Sequence, residues 1–196
     1  MSVLRALNTP IFAAEGIPEN VDFGNWHVSL EGMIDTDRTL SLEDIKVLPH
    51  SRVNCRLTSV SGWSVRAEWE GVLWRDFVRA YPPGMGATHA TFTSSNGYTT
   101  AVSLELLDHP RVLLAWAVGG EQLEIEYGGP LRMVIPILWG YKSCKWMVKI
   151  TYADHMITGF WESRGYTLEG TIEPGETFDV NTQRRRSIQG GEVTEF

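Results

Sequence analysis

Residues 58–64, TSVSGWS, follow the strand-like run SRVNCRLT and place the Ser59 hydroxyl directly after it. Familiar catalytic constellations are missing around it. Gly62-Trp63-Ser64-Val65-Arg66 departs from the G-x-S-x-G nucleophile elbow at its last position. The five histidines show no i, i+4 pairing with an acid, so they read as surface or turn residues rather than metal ligands. YGGP and VGGE lack the G-x-G-x-x-G frame of a nucleotide loop. The two cysteines, Cys55 and Cys144, match neither a disulfide framework nor a zinc spacing, and read as free thiols. The run YGGPLRMVIPILWGYKSCKWMVKI (127–150) carries Arg132, Ser143 and Lys145 among aromatic residues. The planar fork of Arg132, with the Lys145 ammonium, would receive a carboxylate or another acidic group.

The elements that position these groups follow from apolar alternation. WHVSLEGMI (26–34), ATFTSSNGYTTAVSL (90–104), LRMVIPI (131–137) and WMVKITY (146–152) read as strands, with Asn96-Gly97 as a tight hairpin turn. Ser41 with Asp44 three residues on resembles a capping box before a two-turn helix. LWRDFVRAYPPG (73–84) is an amphipathic helix stopped by its prolines, and SLELLDHP (103–110) a shorter turn or helix. The sum is a β-rich α+β fold.

Residues 1–169 read as one domain and 170–196, with little apolar periodicity, as an extended or partly disordered tail. A hydrophobic fraction of 43% and 8 tryptophans suffice for a sizeable core, which most of the tryptophans should join. The net charge of −7 argues against nucleic acid as the main partner, and Arg184-Arg185-Arg186 reads as a solvated run. The opening MSVLRALNTPIFAAEG lacks the apolar run of a signal peptide, and no stretch approaches the roughly 20 apolar residues that span a bilayer. No membrane association and a reducing cytoplasm are expected.

Four segments in order resemble the molybdopterin-binding domain of the sulfite oxidase family, which includes methionine-sulfoxide-reductase-type catalytic subunits. They are P-x-x-x-x-F-x-x-W-x-x-x-L-x-G (Pro18 to Gly32), V-S-G-W-S-V-x-x-E-W-E-G-V-x-W-x-D-F (60–77), FTSSNGYTTAVSLE (92–105) and YGGPLRMVIPILWGYKSCKWMVKI with GFWESRGY (159–166). The resemblance implies a sulfite oxidase-like fold. It also implies a molybdenum held by a pterin dithiolene and one cysteine thiolate, a soft, readily ionised donor. Here that cysteine position is Ser59, a harder and far less acidic donor. Cys55, four residues earlier, would lie some 13 Å away at about 3.3 Å per residue. The family's Arg-Asn-His segment over the cofactor corresponds to Ala14, Glu15 and Gly16, and its histidine or asparagine before the PLR arginine to Tyr127. Arg132, Ser143 and Lys145 match the family's phosphate-side contacts; a structural role, Arg132 paired with an internal carboxylate and Lys145 laid beside Trp146, weighs equally.

A divergent member that has lost the ligand cysteine and much of the clamp is expected to use the vacated cleft without cofactor or metal. The expected function is a cyclase or isomerase of secondary metabolism, acting on an apolar, polyketide- or polyene-like molecule that carries an acidic group for Arg132. Ser59, Tyr127, Glu15 and Arg132 would supply donors or acid/base help. Trp63, Trp139, Tyr141, Ser143, Lys145 and Ser94 would line the substrate site. Two alternatives stand beside this: a molybdopterin-dependent oxidoreductase of sulfite or sulfoxide type with serine as the ligand, and a non-catalytic small-molecule-binding module.

Overall fold

The computed structural model describes residues 2–196. In chain order its first strands are β1 (His27–Gly32), β2 (Arg38–Ser41), β3 (His50–Ser59), β4 (Trp63–Leu73), β5 (His89–Ser94) and β6 (Thr99–Ser103). They are followed by β7 (Leu113–Val118), β8 (Glu121–Gln122), β9 (Arg132–Val134), β10 (Met147–Ala153), β11 (Gly175–Asp179) and β12 (Arg184–Ile188). Four short helices intervene: α1 (Val3–Ala6), α2 (Leu42–Lys46), α3 (Trp74–Ala80) and α4 (Leu104–Leu107). This is the expected β-rich α+β architecture.

Local chemistry explains several of these boundaries. The Ser41 hydroxyl accepts from Asp44 N at 3.1 Å while the Asp44 carboxylate accepts from Ser41 N at 2.8 Å, so α2 opens on the capping box read from the sequence. The turn at Asn96-Gly97 joins β5 to β6, with Gly97 at φ +89°. LRMVIPI forms a much shorter strand than its apolar run suggests, only Arg132–Val134.

One sheet runs β2-β1-β10-β5-β6, with β1 and β10 parallel and the other pairs antiparallel. A second runs β3-β4-β7-β8, and β9 also pairs with β7. Two apolar cores result, and β7 (LLAWAV) stands between them with all six residues buried. Leu114 and Trp116 join the larger core, while Leu113, Ala115 and Val118 join the smaller one with Trp69 and Leu57.

The segment from about residue 170, expected to be extended or partly disordered, carries the antiparallel hairpin β11–β12. Ile172, Ile188 and Val193 from this segment form a third apolar cluster with Val60 and Trp139. Among the described residues no helix is long and apolar enough to cross a membrane.

Candidate active site

Ser59 ends β3 and pairs in register with Trp63, the first residue of β4. Gly62 N donates to Ser59 O at 3.1 Å to close the turn between them, and Gly62 sits at φ +93°, where a side chain would be strained. Ser59 is half-buried, and its hydroxyl shares a 2.8 Å hydrogen bond with the Ser61 hydroxyl. Both border a cleft holding about 970 Å³ of space not filled by atoms, part of it continuous with solvent. The ends of β3 and β5, the start of β9, the loop that follows β9 and the N-terminal segment all contribute to it.

Arg132 opens β9 and is 2% exposed. Its guanidinium donates to the carbonyls of Tyr127 at 2.7 Å, Met133 at 3.2 Å and Ser143 at 3.4 Å. No carboxylate among the described residues pairs with it. The internal ion pair considered for Arg132 is therefore replaced by carbonyl contacts. Burial lowers its pKa to about 10, which leaves it charged at neutral pH. Lys145 donates to Phe12 O at 2.7 Å and Glu126 O at 3.3 Å, and stands 5.3 Å from the Trp146 ring centroid. Burial first, and then the charge of Arg132, push its ammonium down to about 7. Trp69 Nε1, Ser94 Oγ and Thr9 Oγ1 are buried on cleft-lining residues and have no hydrogen-bond partner among the described residues. Buried polar groups of this kind are normally satisfied. The Arg132 cation, with no counter-charge, and the Lys145 amine, which takes up a proton below about pH 7, make with these unused donors a receptor for an anion with several acceptor oxygens.

The four expected catalytic residues, Ser59, Tyr127, Glu15 and Arg132, all line this cleft, as do Trp63, Tyr141, Ser143, Lys145 and Ser94. Several are already engaged. The Tyr127 hydroxyl donates to Thr9 O at 3.0 Å, and the Ser143 hydroxyl accepts from Ile135 N at 3.1 Å. Glu15 is exposed. Trp139 is the correction: it is absent from the lining and buried against the C-terminal segment, where its backbone N donates to Gly170 O at 2.8 Å. Cys55 is wholly buried in the smaller core, and burial raises its thiol to about 12, so it offers no thiolate in place of Ser59.

Residues that the sequence reading passed over complete the cleft. Phe12, Trp161 and Tyr166 form a chain of rings that ends on the already expected Tyr141, with successive centroids 6.0, 5.4 and 5.1 Å apart. Trp69 lies six residues beyond Trp63 on β4, so strand alternation alone would have placed both on one face. Asn181, in the β11–β12 turn, also lines the cleft, and nothing local in the sequence pointed to it.

The sequence profile of the family described as "Oxidoreductase molybdopterin binding domain" matches residues 14–161. The chain belongs to this family. It is 32% identical over 162 residues to the uncharacterized oxidoreductase YuiH of Bacillus subtilis, covering 82% of each chain. It is 30% identical over 152 residues to the protein-methionine-sulfoxide reductase catalytic subunit MsrP of Ralstonia nicotianae, covering 69% of this chain and 46% of that one. The solved structure of the sulfane dehydrogenase SoxCD from Paracoccus pantotrophus shares the fold, with a TM-score of 0.68 at 17% identity over 88% of this chain and 46% of that chain. The chain thus spans less than half of the last two proteins.

These findings correct the functional expectation. The relatives are oxidoreductases of a molybdopterin-binding family, so the chain is an enzyme, but the cofactor-free cyclase or isomerase of secondary metabolism is overturned. The expectation of no cofactor falls with it. That reading gave most weight to the changes at Ser59, residues 14–16 and Tyr127, and assigned Arg132 and Lys145 to a substrate rather than to a cofactor.

Proposed function

We propose that the chain is a molybdopterin-dependent oxidoreductase of the sulfoxide type, with Ser59 standing at the metal-ligand position. The observation that carries this reading is the pair Arg132 and Lys145, cations that line the cleft without a carboxylate partner. A cation held away from water without a counter-charge is unfavourable, and an anionic pterin phosphate relieves that penalty. The unpartnered Trp69 Nε1 and Ser94 Oγ supply donors for such a group, so the residues present fit it. When bound, the cofactor supplies the two-electron redox chemistry.

The chain's own residues do the rest. Arg132 and Lys145 hold the anionic end. Ser59 offers an oxygen donor, and the Ser61 hydroxyl, 2.8 Å away, fixes its direction. The aromatic chain from Phe12 to Tyr141 keeps one wall of the cleft apolar and limits water. Among the described lining residues no cation remains once Arg132 and Lys145 are engaged, and Glu15 is acidic. A neutral sulfoxide suits such a lining better than a sulfite dianion.

The test is expression in a host that makes the cofactor, followed by a count of molybdenum per chain and an assay with an artificial electron carrier. Bound molybdenum with turnover of methionine sulfoxide is expected. Molybdenum far below one per chain, with neither sulfoxide reduced nor sulfite oxidised, would overturn the reading.

A further inference from the structure

The family profile ends at residue 161, yet the cleft does not. Tyr166 and Asn181, both beyond that limit, line it together with Ser59 and Ser61. The C-terminal segment is bound to the turn that carries Ser59. The Arg186 guanidinium donates to Val60 O at 3.4 Å and lies so close to Gly62 that a Cβ there would meet it at 2.7 Å. The Ser64 hydroxyl donates to Val193 O at 2.5 Å, and Glu192 pairs with both Arg66 and Arg111. Val60 is buried against Ile172, Ile188 and Val193. The hairpin and the Ser59 turn therefore form one packed unit.

The hairpin's own turn is organised by a buried carboxylate. Asp179 accepts from the Tyr166 hydroxyl at 3.0 Å, from Asn181 N at 3.0 Å and from the Thr182 hydroxyl at 2.5 Å. These bonds hold Tyr166 and the backbone of Asn181 in place at the cleft edge. The Asn181 side-chain amide, by contrast, makes no hydrogen bond among the described residues and stays exposed. It is a neutral donor on a wall that otherwise presents aromatic rings.

We infer that the C-terminal hairpin is the substrate-selecting wall of the cleft, with Asn181 donating a hydrogen bond to the oxygen of a neutral sulfoxide whose apolar part rests on Tyr166 and Trp161. A neutral amide donor discriminates a polar S=O oxygen from a sulfide that lacks it. A full anion, in contrast, would call for a cation at this edge; among the described residues Arg186 of the same hairpin is engaged with Val60 O and does not line the cleft. The aromatic rings suit the flanking thioether-like carbon and sulfur. The inference rests on the oxidoreductase reading for its substrate class, but the binding it describes is measurable without turnover.

The experiment titrates the full chain, purified from a host that makes the cofactor, with methyl phenyl sulfoxide and, separately, methyl phenyl sulfide. The readouts are the Asn181 side-chain amide resonance, assigned by its absence in Asn181→Ala, and the dissociation constants. Loss of one neutral hydrogen bond should weaken sulfoxide binding in Asn181→Ala by about fivefold and leave sulfide binding unchanged. Asn181→Gln should recover part of the loss. In turnover the same variant should raise KM for sulfoxide with kcat held. Equal sulfoxide affinity in wild type and Asn181→Ala, an unmoved amide resonance, or no sulfoxide binding to the wild type would each overturn the inference. Sulfoxide binding that depends on Asn181 in a protein without turnover would uphold it and defeat the oxidoreductase reading instead.

Discussion

The Arg132 guanidinium lies over the indole of Trp69, 5.4 Å from the ring centroid, in a cleft where three backbone carbonyls and no carboxylate accept its hydrogen bonds. Geometry and charge both matter there, because the three carbonyls are met by three separate nitrogens, Nε, Nη1 and Nη2, whereas an ammonium presents all its donors from one atom. Arg132→Lys should therefore destabilise the fold by about 1–3 kcal/mol, the usual penalty for leaving a buried acceptor unsatisfied. Denaturant unfolding with an unchanged m-value and a lowered midpoint would register it; an unchanged midpoint would show that the carbonyls are satisfied otherwise.

Lys145 makes the cleft pH-sensitive. Its ammonium is pushed from the ordinary 10.5 to about 7, by burial first and then by the Arg132 charge. The unfolded chain holds this proton up to the ordinary value while the folded chain releases it near 7, so between those limits the unfolded state binds more protons. Stability attributable to Lys145 should thus rise with pH across that window. Binding of an anion that does not itself titrate near neutrality, such as sulfate, should instead be strongest below about pH 7 and weaken above it, with proton uptake near neutrality. Calorimetry of sulfate binding at several pH values, in buffers of differing ionisation enthalpy, reads both effects. Lys145→Met should abolish the pH dependence, and a persisting slope in that variant would refute the assignment.

Lys142 and Glu162 form a fully buried ion pair at 2.5 Å, braced by Thr100 Oγ1 donating to the same carboxylate oxygen at 2.7 Å and by Lys142 donating to Ala101 O at 2.9 Å. Lys142→Met should cost about 3–5 kcal/mol because it strands a buried carboxylate. Adding Glu162→Gln should recover much of that loss. A double-mutant cycle with additive effects would show that the pair is not coupled.

At Ser59 the donor type should govern the metal. Ser59→Ala should lower molybdenum retention by at least on the order of tenfold, the loss that even outer-shell partners cause. Ser59→Cys places a softer, more acidic donor at the end of β3 and should add a visible thiolate-to-metal absorption band. Unaltered metal content in Ser59→Ala, with an unaltered spectrum in Ser59→Cys, would remove Ser59 from the ligand position.

Local and pairwise features were legible in the chain itself. The capping box of α2, the β5–β6 turn at Asn96-Gly97 and the alternating strands β1 and β10 each depend on residues close in sequence, so propensity and period suffice to read them. The motifs around Arg132, Lys145 and Ser59 likewise suggested a shared cleft, and the fold brings the three residues to one. Strand β7 was not legible, because it separates two cores and is buried on both faces, which erases the period-two signal. Trp139 was misplaced for a related reason: sequence proximity to the cleft loop says nothing about which surface its indole covers, and Ile172, Ile188 and Val193 supplied a competing apolar face. Only tertiary structure could show that Arg132 meets carbonyls rather than a carboxylate, since charge compensation is a property of neighbours in space. The same holds for Asn181, which reaches the cleft because Arg186, Glu192 and Val193 fasten a distant hairpin to the turn beside Ser59.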